Sequence, residues 1–179
     1  MSTQKTVRQQ YGTVEESEAL RVDQDRAEQI VEALNRDLAD TYVLYHQLKK
    51  HHWIVEGAEF RDLHLYLDEV LGDTEAFADA LAERAQALGG VPISGMDNLS
   101  EAATVEPEHE DVYDIRTSLE NDMEMMGDII ETLREHIELF ENLGDYTSAE
   151  LVRENLPTVE EHAHHLEHYL EDDSLVVQN

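Results

Sequence analysis

Apolar residues recur at steps of three and four along four long stretches of this chain, with polar residues between them. Such a period lays one apolar stripe along one face of a helix. The first stretch runs from about Asp25 to Trp53, with Leu34, Leu38, Thr41, Tyr45 and Leu48 in register, and the next step lands on His52. Asp25 and Glu28 stand at capping-box spacing near its start, and Gly57 breaks the pattern after it. The second runs from about Glu59 to Leu88 through Leu63, Leu67, Val70, Phe77, Leu81 and Leu88, and Gly89, Gly90 and Pro92 end it. The third runs from about Glu110 to Asn142, with Ile115, Leu119, Asp122, Met126, Ile129, Leu133, Ile137 and Phe140 near one face, before Gly144. The fourth runs from about Tyr146 to Leu170, and Pro157 inside it predicts a kink or a break.

Between the second and third stretches, the segment from Gly89 to Pro107 is too long for a tight hairpin, and Ser100 to Ala103 within it predict a short helix. Strand signals are nearly absent. The expected fold is all-α, a four-helix bundle with a long crossover connection carrying a short helix. The expected organisation is a polar N-terminal tail over 1–24, mobile or docked as an arm, then the bundle over 25–171, and a C-terminal tail over 172–179. A chain of 179 residues is one domain by default and large enough for a real core. No apolar run has membrane-spanning length, and Met1 to Gln10 are polar, so neither an anchor nor a signal peptide is expected.

The chain has no cysteine, which leaves any metal to His, Asp and Glu and suits a cytoplasmic protein. Its formal charge is −30, and Lys5, Lys49 and Lys50 are its only lysines. Nucleic acid binding needs clustered cations to displace counterions, so nucleic acid is a poor partner. The acidity reads either as a solvated surface suited to very high salt or as a surface that collects cations.

On the second helix, steps of three and four pick out His64, Asp68, Gly72, Glu75, Asp79 and Glu83 on one face. A solvated polar stripe would show the same pattern. However, His64 and Asp68 are one turn apart, as are Asp79 and Glu83, the spacing at which two side chains hold one ion. Asp68 and Glu83 lie roughly 22 Å apart along a helix axis, so no single ion bridges them within one chain. The pairs His64 with Glu83 and Asp68 with Asp79 are both centred on residues 73 and 74. A second, antiparallel copy crossing there would set each residue opposite its mate and make two identical sites about a two-fold axis. Gly72 beside the crossing would admit a close approach, which would explain a mid-helix glycine that costs about 1 kcal/mol against alanine. Imidazoles and carboxylates without sulfur suit Fe, Mn or Zn.

The segment 52–68 reads H-W-x-V-x-G-x5-L-H-x3-D, and 79–92 reads D-A-L-A-E-R-A-Q-A-L-G-G-V-P. Both resemble the two signature motifs of the Dps family of small ferritin-like proteins, over roughly residues 25–170, and the acidity resembles that of a salt-adapted member. The resemblance implies a hollow dodecamer that binds Fe(II) at centres between subunits, oxidises it with hydrogen peroxide or O₂, and stores ferric mineral. It implies His52, His64 and Asp68 as ligands from one subunit and Asp79 and Glu83 from its partner. Trp53 stands where the family has an aromatic beside the centre, though core packing would account for it too. Residues 1–24 hold only Lys5, Arg8 and Arg21 as cations, so the family's DNA binding is not expected here. His162, His164, His165 and His168 read either as surface histidines or as a site that takes up or holds iron, with His164 and His168 one turn apart. Glu75 and Glu154 are candidates for an acidic cavity lining. Two other readings stay open. One is an intrachain di-iron bundle, for which Glu161-x-x-His164 supplies one motif without a partner on another helix. The other is a non-enzymatic DNA-compacting protein.

Overall fold

The computed structural model describes residues 6–171; the expected C-terminal tail over 172–179 and Lys5 lie outside the described residues. Five helices form: α1 (Gln24–Ile54), α2 (Phe60–Ala87), α3 (Met96–Ala102), α4 (Ile115–Leu143) and α5 (Tyr146–Leu170), and no strand occurs among the described residues. The helices α1 and α2 pack as one hairpin and α4 and α5 as another, with α1 against α4, α2 against α5, and α3 lying on α1. The apolar stripes meet at the centre. Leu34, Leu38, Leu48, Leu63, Leu67, Leu81, Met126, Leu133 and Phe140 are all fully buried. Each such side chain contributes about 1.5–3 kcal/mol by leaving water, and this drives the pairing of the stripes.

Four local expectations shift. The cap of α1 is Asp23, which makes no side-chain capping bond, so Asp25 lies inside the first turn and no capping box forms. The short helix starts earlier than Ser100, at Met96. α4 starts at Ile115, capped by the Asp114 carboxylate, which accepts the Thr117 N–H. Residues 108–111 are drawn away from it by Lys50, whose Nζ donates to Glu108 Oε1 and to the His109 and Asp111 carbonyls. α5 runs unbroken through Pro157. The ring removes one helical hydrogen bond, but buried Val152, His162 and Leu166 hold the helix to the bundle on both sides of it.

From Gln9 to Val22 the segment before α1 is docked. The Glu15 N–H and Gln9 Nε2 both donate to the Gly89 carbonyl at 2.8 Å, and Val14 and Val22 pack on the core. Gly89 has φ +87, and a Cβ there would collide with the Glu15 carbonyl, so the α2 terminus and the arm fit only around a glycine. No helix is long and apolar enough to cross a membrane among the described residues.

Candidate metal centre

The last turn of α1 and the first turns of α2 lie side by side, because the linker from Val55 to Glu59 is short. This brings His52, His64 and Asp68 together, each offering a ligand atom within 4.8 Å of the others'. It is the only group of three or more potential ligands this close among the described residues. The His52 and His64 rings stack at 3.8 Å between centroids and 24° between planes. His64 Nδ1 donates to the His52 carbonyl at 3.0 Å, which leaves its Nε2 free as a ligand. His52 Nε2 lies 2.8 Å from Asp68 Oδ1, the distance of an ion pair. Both ring nitrogens of His52 are buried, and beyond that ion pair at Nε2 neither has a polar partner. Buried polar atoms ordinarily find partners, so a buried imidazole whose nitrogens meet nothing but one carboxylate fits a cation site. Burial, with smaller contributions from His64 and Lys49, holds the His52 pKa below its ordinary value, against the pull of Asp68. A neutral imidazole is the form that binds metal.

Asp79 and Glu83 are exposed on the same face of α2, three and four turns further on, and are not brought to this cluster within the chain. Gly72, between the two groups, faces open space. Trp53, Phe60 and Leu65 are exposed around the cluster, and Phe60 stacks on His64 at 5.2 Å. Core packing of Trp53 within its own chain is thereby corrected: the residue is 69% exposed, because the end of α1 leaves it on the outer side.

Glu75 on α2 and Glu154 on α5 are both exposed and join no cluster. His164 and His168 are exposed, with their Nε2 atoms 3.0 Å apart and His164 Nδ1 3.0 Å from Glu167 Oε2. His162 is buried instead and reaches Asp73 Oδ2 with Nε2 at 2.9 Å. Glu161 and His164 both face outward, so that motif does not point into the bundle. A cavity of about 30 Å³ among the four long helices is lined by Thr41, Leu44, Phe77 and Met126 together with Asp73 and His162, and its one lining carboxylate is too few for an internal di-iron site.

Position in the sequence hides one further cluster. His51 is buried between α1, α4 and the crossover, with Nδ1 2.7 Å from Asp122 Oδ2 and Nε2 2.7 Å from Glu108 Oε1. Burial works to lower the His51 pKa, but hydrogen bonds and charges of Asp122 and Glu108 outweigh it and raise the value. Asp122, an acid on an otherwise apolar stripe, was the available signal for this cluster.

Residues 31–176 match the family model of the ferritin-like domain. The chain is 65% identical, over 99% of its length and 98% of the relative's, to the protein of Halobacterium salinarum named DNA protection during starvation protein. The crystal structure of an archaeal Dps homologue from Halobacterium salinarum superposes with a TM-score of 0.94 at 64% identity, covering 99% of this chain and 98% of that one. The Dps protein of Vibrio cholerae, described as belonging to a broad superfamily of ferritin-like diiron-carboxylate proteins, superposes with a TM-score of 0.82 at 26% identity, covering 89% and 99%.

Proposed function

We propose that this chain, which belongs to the Dps family of ferritin-like proteins, oxidises ferrous iron at centres shared between two copies and stores the ferric product. The observation that carries the reading is the convergence of His52, His64 and Asp68 at an exposed edge, with the His52 nitrogens meeting no polar group but Asp68. Three ligands leave a metal under-coordinated, and Asp79 and Glu83 from an antiparallel second copy complete the set. The exposed Trp53, Phe60 and Leu65 and the open space at Gly72 support a copy seated on this face.

Iron is the substrate. Carboxylates favour Fe(III) over Fe(II), because the higher charge gains more from anionic ligands. Two ferrous ions each give one electron to hydrogen peroxide; its O–O bond breaks and, with two protons, two waters form. No hydroxyl radical is released. Dioxygen is the alternative acceptor. Ferric product then passes to an acidic lining that includes Glu75 and Glu154, while His164 and His168 take up iron from outside. Assembly into about twelve copies around a two-fold and three-fold scheme is part of the same reading. The DNA protection in the relative's name is not extended to this chain: a charge of −30 repels phosphate, and a gel shift at low salt that retards DNA would overturn this.

The test is kinetic. Fe(II) and peroxide are mixed anaerobically and the ferric absorbance is followed. His64→Ala or Glu83→Ala lowers the initial rate at least about tenfold while the native mass of the assembly is unchanged. An unchanged rate in both variants refutes the assignment. Zn(II), which binds such ligands more tightly than Fe(II), inhibits at stoichiometric amounts. Metal binding that survives in a dissociated monomer would instead favour an intrachain centre.

A further inference from the structure

The cluster around His51 holds the metal-bearing turn from behind. His51 is 2% exposed and bonded at both ring nitrogens, to Asp122 on α4 and to Glu108 in the crossover. The Glu108 carboxylate also accepts from Lys50 Nζ at 2.7 Å and from Asn121 Nδ2 at 2.7 Å. The Glu108 N–H donates to Gln47 Oε1 at 2.8 Å, and Gln47 Nε2 donates to Asp122 Oδ1 at 2.9 Å, closing a ring of bonds among α1, α4 and the crossover. An imidazole gripped at both ends cannot turn, so the backbone of residue 51 is fixed relative to α4.

His52 is the next residue, about 100° further round the helix. It faces α2, where Nε2 meets only the Asp68 carboxylate at 2.8 Å and Nδ1 has no partner. Its orientation therefore depends on its backbone, on stacking against His64 and on the exposed Asp68 carboxylate, none of which ties it to α4. The His52 carbonyl in turn accepts the His64 Nδ1 proton. Any displacement of the last turn of α1 thus moves one imidazole directly and the other through that carbonyl.

We propose that Glu108 and Asp122, acting through His51, are positioning residues that set the metal affinity of the centre. The long crossover then has a chemical role, since it delivers the Glu108 carboxylate to the back of the metal-binding turn. This rests on the metal-centre reading above.

The experiment uses Co(II) as an air-stable probe on the full assembly, read by its visible absorption and by titration. Glu108→Ala weakens Co(II) binding about tenfold and changes the absorption band. Glu108→Gln restores most of the affinity, because its amide oxygen still accepts from His51 Nε2 and Lys50 Nζ, which meet the same oxygen of Glu108. Leu133→Ala, a core truncation elsewhere on α4, lowers the melting temperature but binds Co(II) as the wild type does. Should Glu108→Ala fail to assemble, Asn121→Ala removes one bond to Glu108 and gives a smaller loss in the same direction. Affinity within twofold of wild type in these Glu108 and Asn121 variants, or an equal loss in Leu133→Ala, overturns the proposal. His64→Ala tests the underlying reading separately: if it binds Co(II) as tightly as wild type, the metal centre itself is wrong.

Discussion

Replacing Gly89 by alanine tests how the N-terminal arm is held. Two costs combine. Gly89 has φ +87, and an alanine in the left-handed region costs about 1–2 kcal/mol. The new Cβ would also overlap the Glu15 carbonyl, which only movement of the arm relieves. That movement breaks the bonds from the Glu15 N–H and Gln9 Nε2 to the Gly89 carbonyl, each contributing about 1 kcal/mol. Loss of about 2 kcal/mol of docking corresponds to roughly a thirtyfold faster hydrogen exchange at the Glu15 amide, since about 1.4 kcal/mol is tenfold. The strain itself appears as a melting temperature lower by several degrees. Amide exchange by mass spectrometry and a thermal melt read the two effects apart. Gly57 is the control, because it has φ +103, lies outside the arm and has nothing closer than 3.9 Å to its Cβ position, so Gly57→Ala adds strain without touching the arm. If Gly89→Ala leaves the Glu15 amide as slow to exchange as in wild type, the account of the docked arm is wrong.

Other expectations follow from the same geometry. Arg84 donates to Asp145 Oδ1 at 2.6 Å and to Ser148 Oγ at 2.8 Å, and Arg84→Met strips a buried carboxylate of its partner, destabilising by about 3 kcal/mol at neutral pH in denaturant melts. Burial pushes the Asp145 carboxyl up, but the bonds and charge of Arg84 and the bonds of Ser148 hold it below the usual range. Its stabilising contribution is present above the ordinary carboxylate pKa of about 3.9 and is lost as pH falls through the lower folded value, so the wild-type advantage narrows only in strong acid; a gap independent of pH would refute this. With a charge of −30, raising KCl from about 0.1 M to about 1 M shortens the Debye length from about 10 Å to about 3 Å and raises the melting temperature. A flat or falling melting temperature would show that self-repulsion does not limit stability. Asp114→Ala removes the carboxylate that caps α4 through the Thr117 N–H and costs about 1 kcal/mol by the same melts.

Local repetition made the bundle legible in the chain. The three- and four-step stripes through Leu34 and Leu38, Leu63 and Leu67, and Leu119, Met126 and Leu133 are periods within single helices, and burial of those positions follows from the need to hide an apolar face. The same spacing put His64 beside Asp68 and carried the α1 stripe onto His52. Tertiary structure decided what depends on contacts between distant segments. The His51 bonds to Glu108 and Asp122 span 57 and 71 residues and leave no local period. Lys50 moved the start of α4 by capturing the crossover, and the end of α1 left Trp53 outside the core of its own chain. A helix period is a property of neighbours three and four apart. Which polar groups meet behind a helix depends on how the whole chain returns to it, and only the folded bundle specifies that.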